Sequence, residues 1–421
     1  MRRKIVITFL FVGLAILSLI ATHRALPYMK EDESYNSIFP RDKFLALIEQ
    51  APPDWMQAQI DEDFGQVFEI TSEAVEETYR TLWDRIGPDI CHYRVIDNKL
   101  YKYIPNRDEY THHDTRFEKA FKTLLSHIQV PNLDFLLCPM DGIPEPYMPP
   151  GFYKSENQAP LLGNAKIKGT HPIILIPDKF SLSDKWLLTT QEILHLNPKI
   201  VWEDKANKAF WRGALTDTGL PDWVDADPSH SPRYQLTLLA KSFPQMIDAA
   251  ITGEKGTPFR GATKEEHLQY KYLPALDGHM CTYPGYQWRL LSNCLTFKQS
   301  SDQIQWFYRA IHPYQHYIPI QNDLTDLIEK IEWAKKNDEA VQKIGAESQF
   351  FAKNNLLMEH NYLYLWLTFI QYGKLQIINF NKLKQNMDKD PNWHCIQYRN
   401  NMRFFKKWGN PKNYSELSVK K

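Results

Sequence analysis

The sequence predicts an α/β protein with two domains facing one another across a cleft, preceded by one N-terminal transmembrane helix. Three observations predict this fold class. A chain of 421 residues exceeds the usual size of a single hydrophobic core. Its content of 43% hydrophobic and 24% charged residues is ordinary for a globular protein. Helical and strand-like apolar patterns also alternate along the chain, as in domains built from layers of helix and sheet.

The N-terminus predicts a membrane anchor over residues 1–24. Three basic residues, 2–4, precede an uncharged apolar run over 5–22, close to the roughly 17–25 residues that cross a bilayer as a helix. A cleaved signal peptide with a cut near Ala21 is the alternative, although its apolar region usually has about 7–15 residues. The positive-inside rule keeps the basic residues in the cytosol and sends the rest of the chain across the membrane.

Four further segments follow the predicted anchor. Residues 25–85 are expected to form a stem and N-terminal helices, and residues 86–200 a first α/β domain. Residues 201–375 are expected to form a second α/β domain, and residues 376–421 a C-terminal tail. The predicted domain break lies near 195–207, where Asn-Pro and a charged segment separate the halves.

In the first domain, alternating apolar segments flank Asp97-Asn98, which is typical of a β-hairpin. Residues 116–127 have helical spacing, and residues 134–138 form an apolar strand that leads into a turn carrying Asp141. Residues 171–177 predict another buried strand. A helix, a strand and an acidic turn in this order are typical of binding sites in open α/β domains.

The second domain shows the same alternation after an exposed loop over 219–232 that is rich in Pro, Asp and Ser. The predicted elements are strands at 272–276 and 294–298 and helices at 287–291, 323–336, 339–349 and 359–371.

Charge and cysteine content exclude some function classes. The chain has 50 Lys and Arg against 50 Asp and Glu, whereas a general nucleic-acid binder normally has a basic excess. None of the five cysteines forms a CxxC pair, so zinc and thioredoxin-like chemistry have no support.

A first candidate cluster is FWRGALT, residues 210–216, in which an apolar strand ends in Arg212-Gly213. Arginine offers a planar fork suited to phosphate oxygens, glycine allows close approach of a backbone, and Thr216 adds a hydroxyl group. A salt bridge at the end of the strand is the structural alternative.

A second cluster is GYQWRLLSN, residues 285–293, in which Arg289 lies among apolar residues. Burying an unpaired guanidinium group is costly, so an anion should face it. That anion is either a protein carboxylate, which would be structural, or a phosphate, which would be functional.

A third cluster is HPYQHYIPI, residues 312–320, which contains His316. A lone histidine is more often a satisfied structural group than a ligand. The significance of the three clusters comes from their order and spacing.

Together these segments resemble a known family. WRG, then KYL…DG, then WRLLSNCLTFK, then HYIPIxxDL is similar to the CAP10/Rumi group of glycosyltransferases, family 90. The resemblance covers roughly residues 85–375 and is densest over 208–330. Four ordered motifs are unlikely to coincide by chance.

The resemblance implies an inverting, metal-independent glycosyltransferase of the GT-B type, built from two Rossmann-type domains. It would transfer glucose or xylose from a UDP-sugar to a hydroxyl of a protein, glycan or lipopolysaccharide, without a cofactor. Asp141, in LDFLLCPMDGIP, inherits the role of general base. The family's phosphate contacts fall on Arg212 and Arg289.

The donor site implied by the resemblance also includes Gly213, Thr216, Tyr286 and His316. One departure from the family is the interval from Arg289 to the following strand, which is a few residues shorter here. Arg289 would then reach the family's position from a different helical turn, or Tyr286 would share the role.

The chemistry agrees with these assignments. A departing diphosphate builds up negative charge, which arginines in a dry cleft can neutralise in place of a metal. An acceptor hydroxyl attacking in line needs a carboxylate within reach to take its proton. For Asp141 the structural alternative is a residue that caps its turn.

Two other functions remain open. One is a non-catalytic carbohydrate- or nucleotide-binding membrane protein with the same fold. The other is a metal-dependent enzyme of the GT-A type, for which 225–227 (DAD) or 61–63 (DED) would supply the acidic ligands. The enzyme domain is expected to be lumenal in a eukaryotic cell or membrane-associated in a bacterial one.

Overall fold

Two β-sheets with helices on their faces carry the fold. The computed structural model describes residues 39–65, 67, 69–105, 115–142, 158–170, 173–217, 231–253 and 261–397. No helix within those ranges is long and apolar enough to cross a membrane. The predicted anchor over 5–22 lies outside them, as does most of the predicted loop over 219–232.

The helices and strands alternate along the chain, which confirms the α/β class. The strands are β1 (Cys91–Ile96), β2 (Lys99–Tyr103), β3 (Leu133–Leu137), β4 (Leu161–Gly163), β5 (Lys166–Ile167), β6 (Ile173–Leu175), β7 (Ala206–Gly213), β8 (Ile247–Ile251), β9 (Tyr270–Ala275), β10 (Leu295–Gln299), β11 (Gln303–Ile304), β12 (Ile318–Ile320) and β13 (Trp393–Cys395). The helices are α1 (Arg41–Ile48), α2 (Asp54–Phe64), α3 (Ser72–Ile86), α4 (Thr115–His127), α5 (Asp184–Leu196), α6 (Pro232–Ser242), α7 (Lys264–Leu268), α8 (Gly285–Leu291), α9 (Leu327–Lys336), α10 (Asp338–Asn355), α11 (Met358–Leu375) and α12 (Phe380–Met387).

The first sheet is mixed. Among the described residues its strand order is β13-β2-β1-β3-β4-β6. β1 pairs antiparallel with both β2 and β3, whereas β3, β4 and β6 run parallel. The pairing of β1 with β2 is the predicted hairpin, in which Asp97 and Asn98 both have left-handed backbones, with φ of 52° and 58°. Positive φ at both central residues gives a turn whose twist matches that of the strands.

Asn98 provides a test of how much this turn stabilises the fold. Its Nδ2 donates to Leu125 O at 2.7 Å and its Oδ1 accepts from Val130 N at 3.2 Å. We expect Asn98→Ala to lower the free energy of unfolding by about 2–4 kcal/mol, combining lost hydrogen bonds with left-handed strain. Asn98→Gly loses the same hydrogen bonds without the strain, so chemical denaturation should show a smaller loss. Equal losses would mean that the backbone conformation contributes nothing.

The second sheet is parallel throughout, with strand order β12-β10-β9-β7-β8. Parallel strands are usually covered on both faces and are correspondingly apolar. Every residue of β10 is buried, and its Leu295 and Phe297 belong to the same core cluster as Ile331 of α9 and Val341 of α10. Both sheets belong to one compact unit, residues 40–421.

The predicted helix over 323–336 begins later than expected, at Leu327. The carboxylate of Asp323 accepts hydrogen bonds from the backbone and hydroxyl of Thr325, and Leu324 has a φ of 61°. An acidic side chain that bonds to the backbone two residues ahead favours a turn over a helix.

Part of the segment predicted as a C-terminal tail belongs to the first sheet. β13 pairs antiparallel with β2, so that Trp393 lies opposite Tyr103. The ring of Trp393 also packs over the buried guanidinium of Arg94, whose Cζ lies 3.9 Å from the ring centre. The chain therefore returns to its first sheet after completing the second.

Candidate active site

The carboxyl ends of β7 and β9 form the switch point of the second sheet. β8 lies on one side of β7 and β9 on the other. The chain therefore passes from β7 to β8 in one direction across the sheet and from β9 to β10 in the opposite direction. Ligands of open α/β sheets bind in the crevice outside the carboxyl ends of the strands at such a point. The residues that follow Gly213 and Ala275, which end these two strands, are therefore the first place to seek a site.

Arg233, in the first turn of α6, ties the two strand ends together. Its Nη1 donates to Ala214 O at 2.7 Å and to Thr216 Oγ1 at 2.6 Å, and its Nε donates to Asp277 O at 2.7 Å. Burial lowers the pKa of Arg233, while Asp217 and Asp277 act in the opposite direction. Arg233 is not among the residues predicted from the sequence, because it follows a segment that resembles a surface loop. Ser231-Pro232, a capping residue followed by proline, is the local signal for the start of a helix there.

Arg289 is buried in α8 and has no acidic partner among the described residues. It is 7% exposed, its Nη1 donates to Gly285 O at 2.8 Å, and its Nε has no hydrogen-bond partner there. Burial, together with the nearby Arg233, lowers the pKa of Arg289 to about 9. Such a group destabilises the free protein and becomes favourable when an anion faces it. Within the described part of the chain, the anion sought in the sequence is not a protein carboxylate.

Lys264 and His267 of α7 lie near Arg289, around the ring of Trp288. Lys264 Nζ lies 4.7 Å and Arg289 Cζ 4.4 Å from the centre of the Trp288 ring. The ring of His267 packs edge-on against the same ring, with 5.1 Å between the ring centres. Burial and Arg289 lower the pKa of Lys264 to about 8 and that of His267 to about 3. Neither residue is predicted from the sequence, because KEEHL alone resembles an exposed helix.

The neutral form of His267 has a defined tautomer. Its Nδ1 lies 2.7 Å from Thr263 O, and since a carbonyl oxygen only accepts, the proton must be on Nδ1. The other nitrogen, Nε2, is buried without a hydrogen-bond partner among the described residues. Arg289 Nε is thus a buried donor, and His267 Nε2 a buried acceptor, without a hydrogen-bond partner among the described residues.

Asp141 lies beyond the carboxyl end of β3, an inner strand of the first sheet. Its carboxylate is 43% exposed and lies 3.4 Å from Lys179 Nζ, which also donates to Pro139 O at 3.0 Å. A Cβ placed on the next residue, Gly142, would lie only 2.7 Å from Met280 Cγ. Asp141 is therefore exposed, held by a buried lysine, and adjacent to a loop that follows β9 of the second sheet.

Contacts between residues 180–185, which follow β6, and residues 283–287, at the start of α8, connect the Asp141 side of the candidate site to the Arg289 side. The rings of Phe180 and Tyr283 meet edge-on at 4.9 Å, and Lys185 Nζ donates to Tyr283 Oη at 3.1 Å. Ser181 Oγ lies 2.5 Å from Gln287 Oε1. Tyr283 has a φ of 72°, a conformation that is rare for a tyrosine and concentrated at functional sites. These contacts lead from Lys179, beside Asp141, to the helix that carries Arg289.

Arg212 is engaged with the protein. Its Nη2 donates to Asp248 Oδ1 at 2.6 Å and its Nη1 to Asp248 O at 3.0 Å, which is the salt bridge that the sequence left open as the structural alternative. Arg212 also lowers the pKa of His267, so its charge acts on the same region as Arg289. At Gly213 a Cβ would lie 2.5 Å from the Trp211 ring, so this glycine leaves space for that ring. Phosphate binding by Arg212 stays a prediction.

The other predicted donor residues lie in three places. Thr216 is held by Arg233 at the switch point. Tyr286 is buried in α8 with its hydroxyl unpaired among the described residues. His316 accepts a hydrogen bond from His312 N at 2.9 Å and packs against Phe351, contacts that suit a structural role; its donor contact stays a prediction.

The structure describes one of the two acidic triplets that were considered as metal ligands. In 61–63, Asp63 is buried against Lys166 at 2.7 Å and accepts from Leu175 N at 2.8 Å. The triplet 225–227 lies outside the described residues. Within the described residues, no group of three or more His, Cys, Asp or Glu side chains is arranged to hold a metal ion.

Comparisons with known proteins agree with the resemblance. Residues 50–407 match the protein-family model described as "Glycosyl transferase family 90". The chain is 27% identical over 336 residues to protein O-glucosyltransferase 2 of Danio rerio, covering 75% of this chain and 62% of that protein. It is 28% identical over 352 residues to protein O-glucosyltransferase 3 of Homo sapiens, covering 76% and 62%. The chain thus spans somewhat less than two thirds of the length of these relatives.

Proposed function

The chain belongs to glycosyl transferase family 90, and from that premise we propose that it is an inverting transferase of glucose or xylose from a UDP-sugar to a hydroxyl of a protein. Arg289 carries the proposal, because its buried guanidinium has no acidic partner among the described residues. A departing diphosphate offers the anion that such a cation needs. A protein acceptor is favoured by the names of the relatives, which are protein O-glucosyltransferases.

In the proposed reaction Asp141 is the general base. Its exposed carboxylate accepts the proton of the acceptor hydroxyl as that oxygen bonds to the anomeric carbon of the sugar. The bond between the anomeric carbon and the diphosphate breaks on the opposite face, which inverts the configuration. Arg289 and Lys264 stabilise the negative charge that develops on the diphosphate oxygens.

We also propose that the two sheets form the two halves of a GT-B arrangement and that the reaction needs no metal ion. The parallel sheet with its switch point would hold the nucleotide, and the mixed sheet would present the acceptor. Activity that survives EDTA would support metal independence, and activity that EDTA removes and a divalent ion restores would contradict it. Anchoring through residues 5–22, with a lumenal enzyme domain in a eukaryotic cell, remains part of the proposal.

A transfer assay tests the function directly. The purified protein would be incubated with UDP-glucose or UDP-xylose and a panel of folded protein domains, and sugar attachment would be measured by mass spectrometry. Attachment with release of UDP is the expected result. Binding of UDP without transfer to any acceptor or to water would instead favour the non-catalytic alternative.

We expect the affinity for UDP to fall about fourfold between pH 7 and pH 8.5. Burial and Arg289 lower the pKa of Lys264 to about 8, so the charged fraction of this lysine drops from roughly 0.9 at pH 7 to roughly 0.24 at pH 8.5. Only the charged lysine can pair with a phosphate, and the affinity for UDP scales with the fraction of protein in the form that binds. Binding of the anion favours the charged form, so complex formation should take up protons in this interval. Calorimetric titrations at both pH values would measure the change.

Lys264→Met is the matched control for this pH dependence. The titration of UDP itself is common to both proteins, so the difference between them isolates the lysine. The variant should bind UDP more weakly at pH 7 and keep only the small loss, about 1.3-fold, that Arg289 with its pKa of about 9 gives over this interval. The same pH dependence in both proteins would rule out Lys264 as a phosphate ligand.

A further inference from the structure

Three neighbouring strands of the first sheet end on the same side, and a polar residue follows each of them. β3, β4 and β6 lie side by side and run parallel. Asp141 follows β3, Asn164 follows β4 directly, and Lys179 follows β6. Because the carboxyl ends of parallel strands meet at one edge of a sheet, side chains from all three strands can converge there.

Asn164 and Lys179 hold the turn that carries Asp141. Lys179 Nζ donates to Pro139 O at 3.0 Å, and Asn164 Nδ2 donates to Met140 O at 2.5 Å. Asn164 is 1% exposed and Lys179 is 4% exposed, so water competes little for either hydrogen bond. The two backbone carbonyls immediately before Asp141 are therefore fixed by buried donors from the neighbouring strands.

Lys179 also pairs with the carboxylate of Asp141 itself. Its Nζ lies 3.4 Å from Asp141 Oδ1, whereas Asp141 Oδ2 has no hydrogen-bond partner among the described residues. The Asp141 side chain is 43% exposed, so an acceptor hydroxyl can approach it. A carboxylate that is held through one oxygen keeps the second oxygen available to take a proton.

The surroundings of Lys179 keep its ammonium group in place. Burial raises the pKa of both Asp89 and Asp178, and the charge of Lys179 acts in the opposite direction on each. Asp178 Oδ1 also accepts hydrogen bonds from Phe180 N at 2.7 Å and Ser181 N at 3.2 Å, which fix the turn on which Lys179 lies. Acidic neighbours and a fixed backbone make Lys179 a preorganised group, unlike a lysine on the surface.

We propose that Lys179 and Asn164 are positioning residues for the general base, holding the turn over 139–141 and the Asp141 carboxylate in the orientation that accepts the proton of the acceptor hydroxyl. This inference rests on the proposed function, in which that carboxylate is the base. The proton passes from the acceptor oxygen to Asp141, and neither positioning residue gains or loses one. A base must lie within hydrogen-bond reach of the proton it removes, and a misplacement of about 1 Å can lower a rate by about 100-fold.

A double-mutant cycle of Lys179→Met with Asp141→Asn separates positioning from a role in the fold. Lys179→Met removes the ammonium group and keeps an unbranched side chain. It should lower kcat for sugar transfer by about 10- to 100-fold, while the affinity for UDP stays within about twofold, less than the effect of one lost hydrogen bond to a charged group. With Asp141→Asn already present, it should change kcat by less than about twofold, because the effects of residues that act through one group are not additive.

Lys102→Met is the matched control for the loss of a buried lysine. The Lys102 side chain is 6% exposed and pairs with Glu118 at 3.1 Å, whereas the Lys179 side chain is 5% exposed. Lys102 lies on β2, which β1 separates from β3. Lys102→Met should therefore lower the melting temperature and leave the kcat of the folded protein unchanged.

Asn164→Ala tests the same inference through the second contact and decides it if Lys179→Met does not fold. It removes the hydrogen bond to Met140 O and should lower kcat by about 3- to 10-fold, the scale of one neutral hydrogen bond. That loss should also disappear when Asp141→Asn is present.

The outcomes distinguish this inference from the proposed function. If the wild-type protein transfers no sugar, the proposed function fails and the positioning role with it. If the wild type transfers sugar, but the substitutions lower kcat by the same factor with and without Asp141→Asn, or lower it in neither background, the proposed function stands and the positioning role is wrong.

Discussion

Asp141→Asn is expected to lower the rate of sugar transfer by about 10²–10⁴-fold, the range contributed by a general base. The amide keeps the size and polarity of the carboxylate but cannot accept the proton of the attacking hydroxyl at neutral pH. Because Asp141 lies on the opposite side of the site from Arg289, the affinity for UDP should stay within about twofold, a change too small to signal a lost hydrogen bond. Steady-state transfer rates and calorimetric titration of UDP would measure the two effects.

Asp338→Asn is the matched control for this substitution. Its side chain is 45% exposed and pairs with Lys271 at 2.7 Å, whereas Asp141 is 43% exposed and pairs with Lys179. Asp338 begins α10, away from the switch point, so its variant should keep full activity. A fully active Asp141→Asn protein would remove Asp141 from the mechanism, and a loss of UDP binding would assign it to the donor side.

The sequence predicted those elements whose signals are local. The hairpin at Asp97-Asn98 could be predicted because alternation and turn chemistry are properties of neighbouring residues. β13 could not, because Trp393 pairs with Tyr103, which lies 290 residues earlier in the chain. Local patterns in a single sequence do not indicate which edge strand a distant segment will pair with.

The same distinction applies to the candidate site. Arg212 and Arg289 were both singled out as arginines in apolar surroundings, yet one is paired and the other is not. The partner of Arg212 is Asp248 on the neighbouring strand, and only the register of β7 with β8 brings these two residues together. Arg289 is left with the backbone of its own helix. The choice between a structural and a functional arginine therefore depended on tertiary contacts.

Arg289 also explains why the departure in spacing from the family need not remove the site. The resemblance implies that the interval from this arginine to the next strand is a few residues shorter here, so that Arg289 would reach the family's position from a different helical turn. Its guanidinium reaches back along α8 to Gly285 O, as long side chains on helices do. A Cβ at Gly285 would lie 3.4 Å from Arg289 Nη1, an ordinary contact distance, so the path does not depend on the glycine. The guanidinium group of Arg289 therefore lies beside the first turn of α8, near the carboxyl ends of β7 and β9.

Arg289→Met is expected to stabilise the free protein and to weaken donor binding. Replacing a buried, unpaired cation by an apolar side chain removes a desolvation cost that no partner offsets, and even replacing a buried ion pair by apolar residues is often stabilising by about 1–4 kcal/mol. The melting temperature without ligand should therefore rise. Loss of a charged hydrogen bond to phosphate, worth about 1.5–3 kcal/mol, should weaken UDP binding by roughly 10- to 150-fold. Thermal unfolding with and without UDP measures both effects in one experiment.

The opposite signs of the two effects make this test specific to an anion site. A structural arginine would lose stability on substitution, as we expect for Arg212→Met, which leaves Asp248 without its partner. Arg309→Met is the neutral control, since Arg309 is 48% exposed and pairs at the surface with Glu62, where an ion pair contributes little. If Arg289→Met instead lowers the melting temperature, or if UDP stabilises the variant as strongly as the wild type, then the guanidinium serves the fold and the diphosphate must be bound elsewhere.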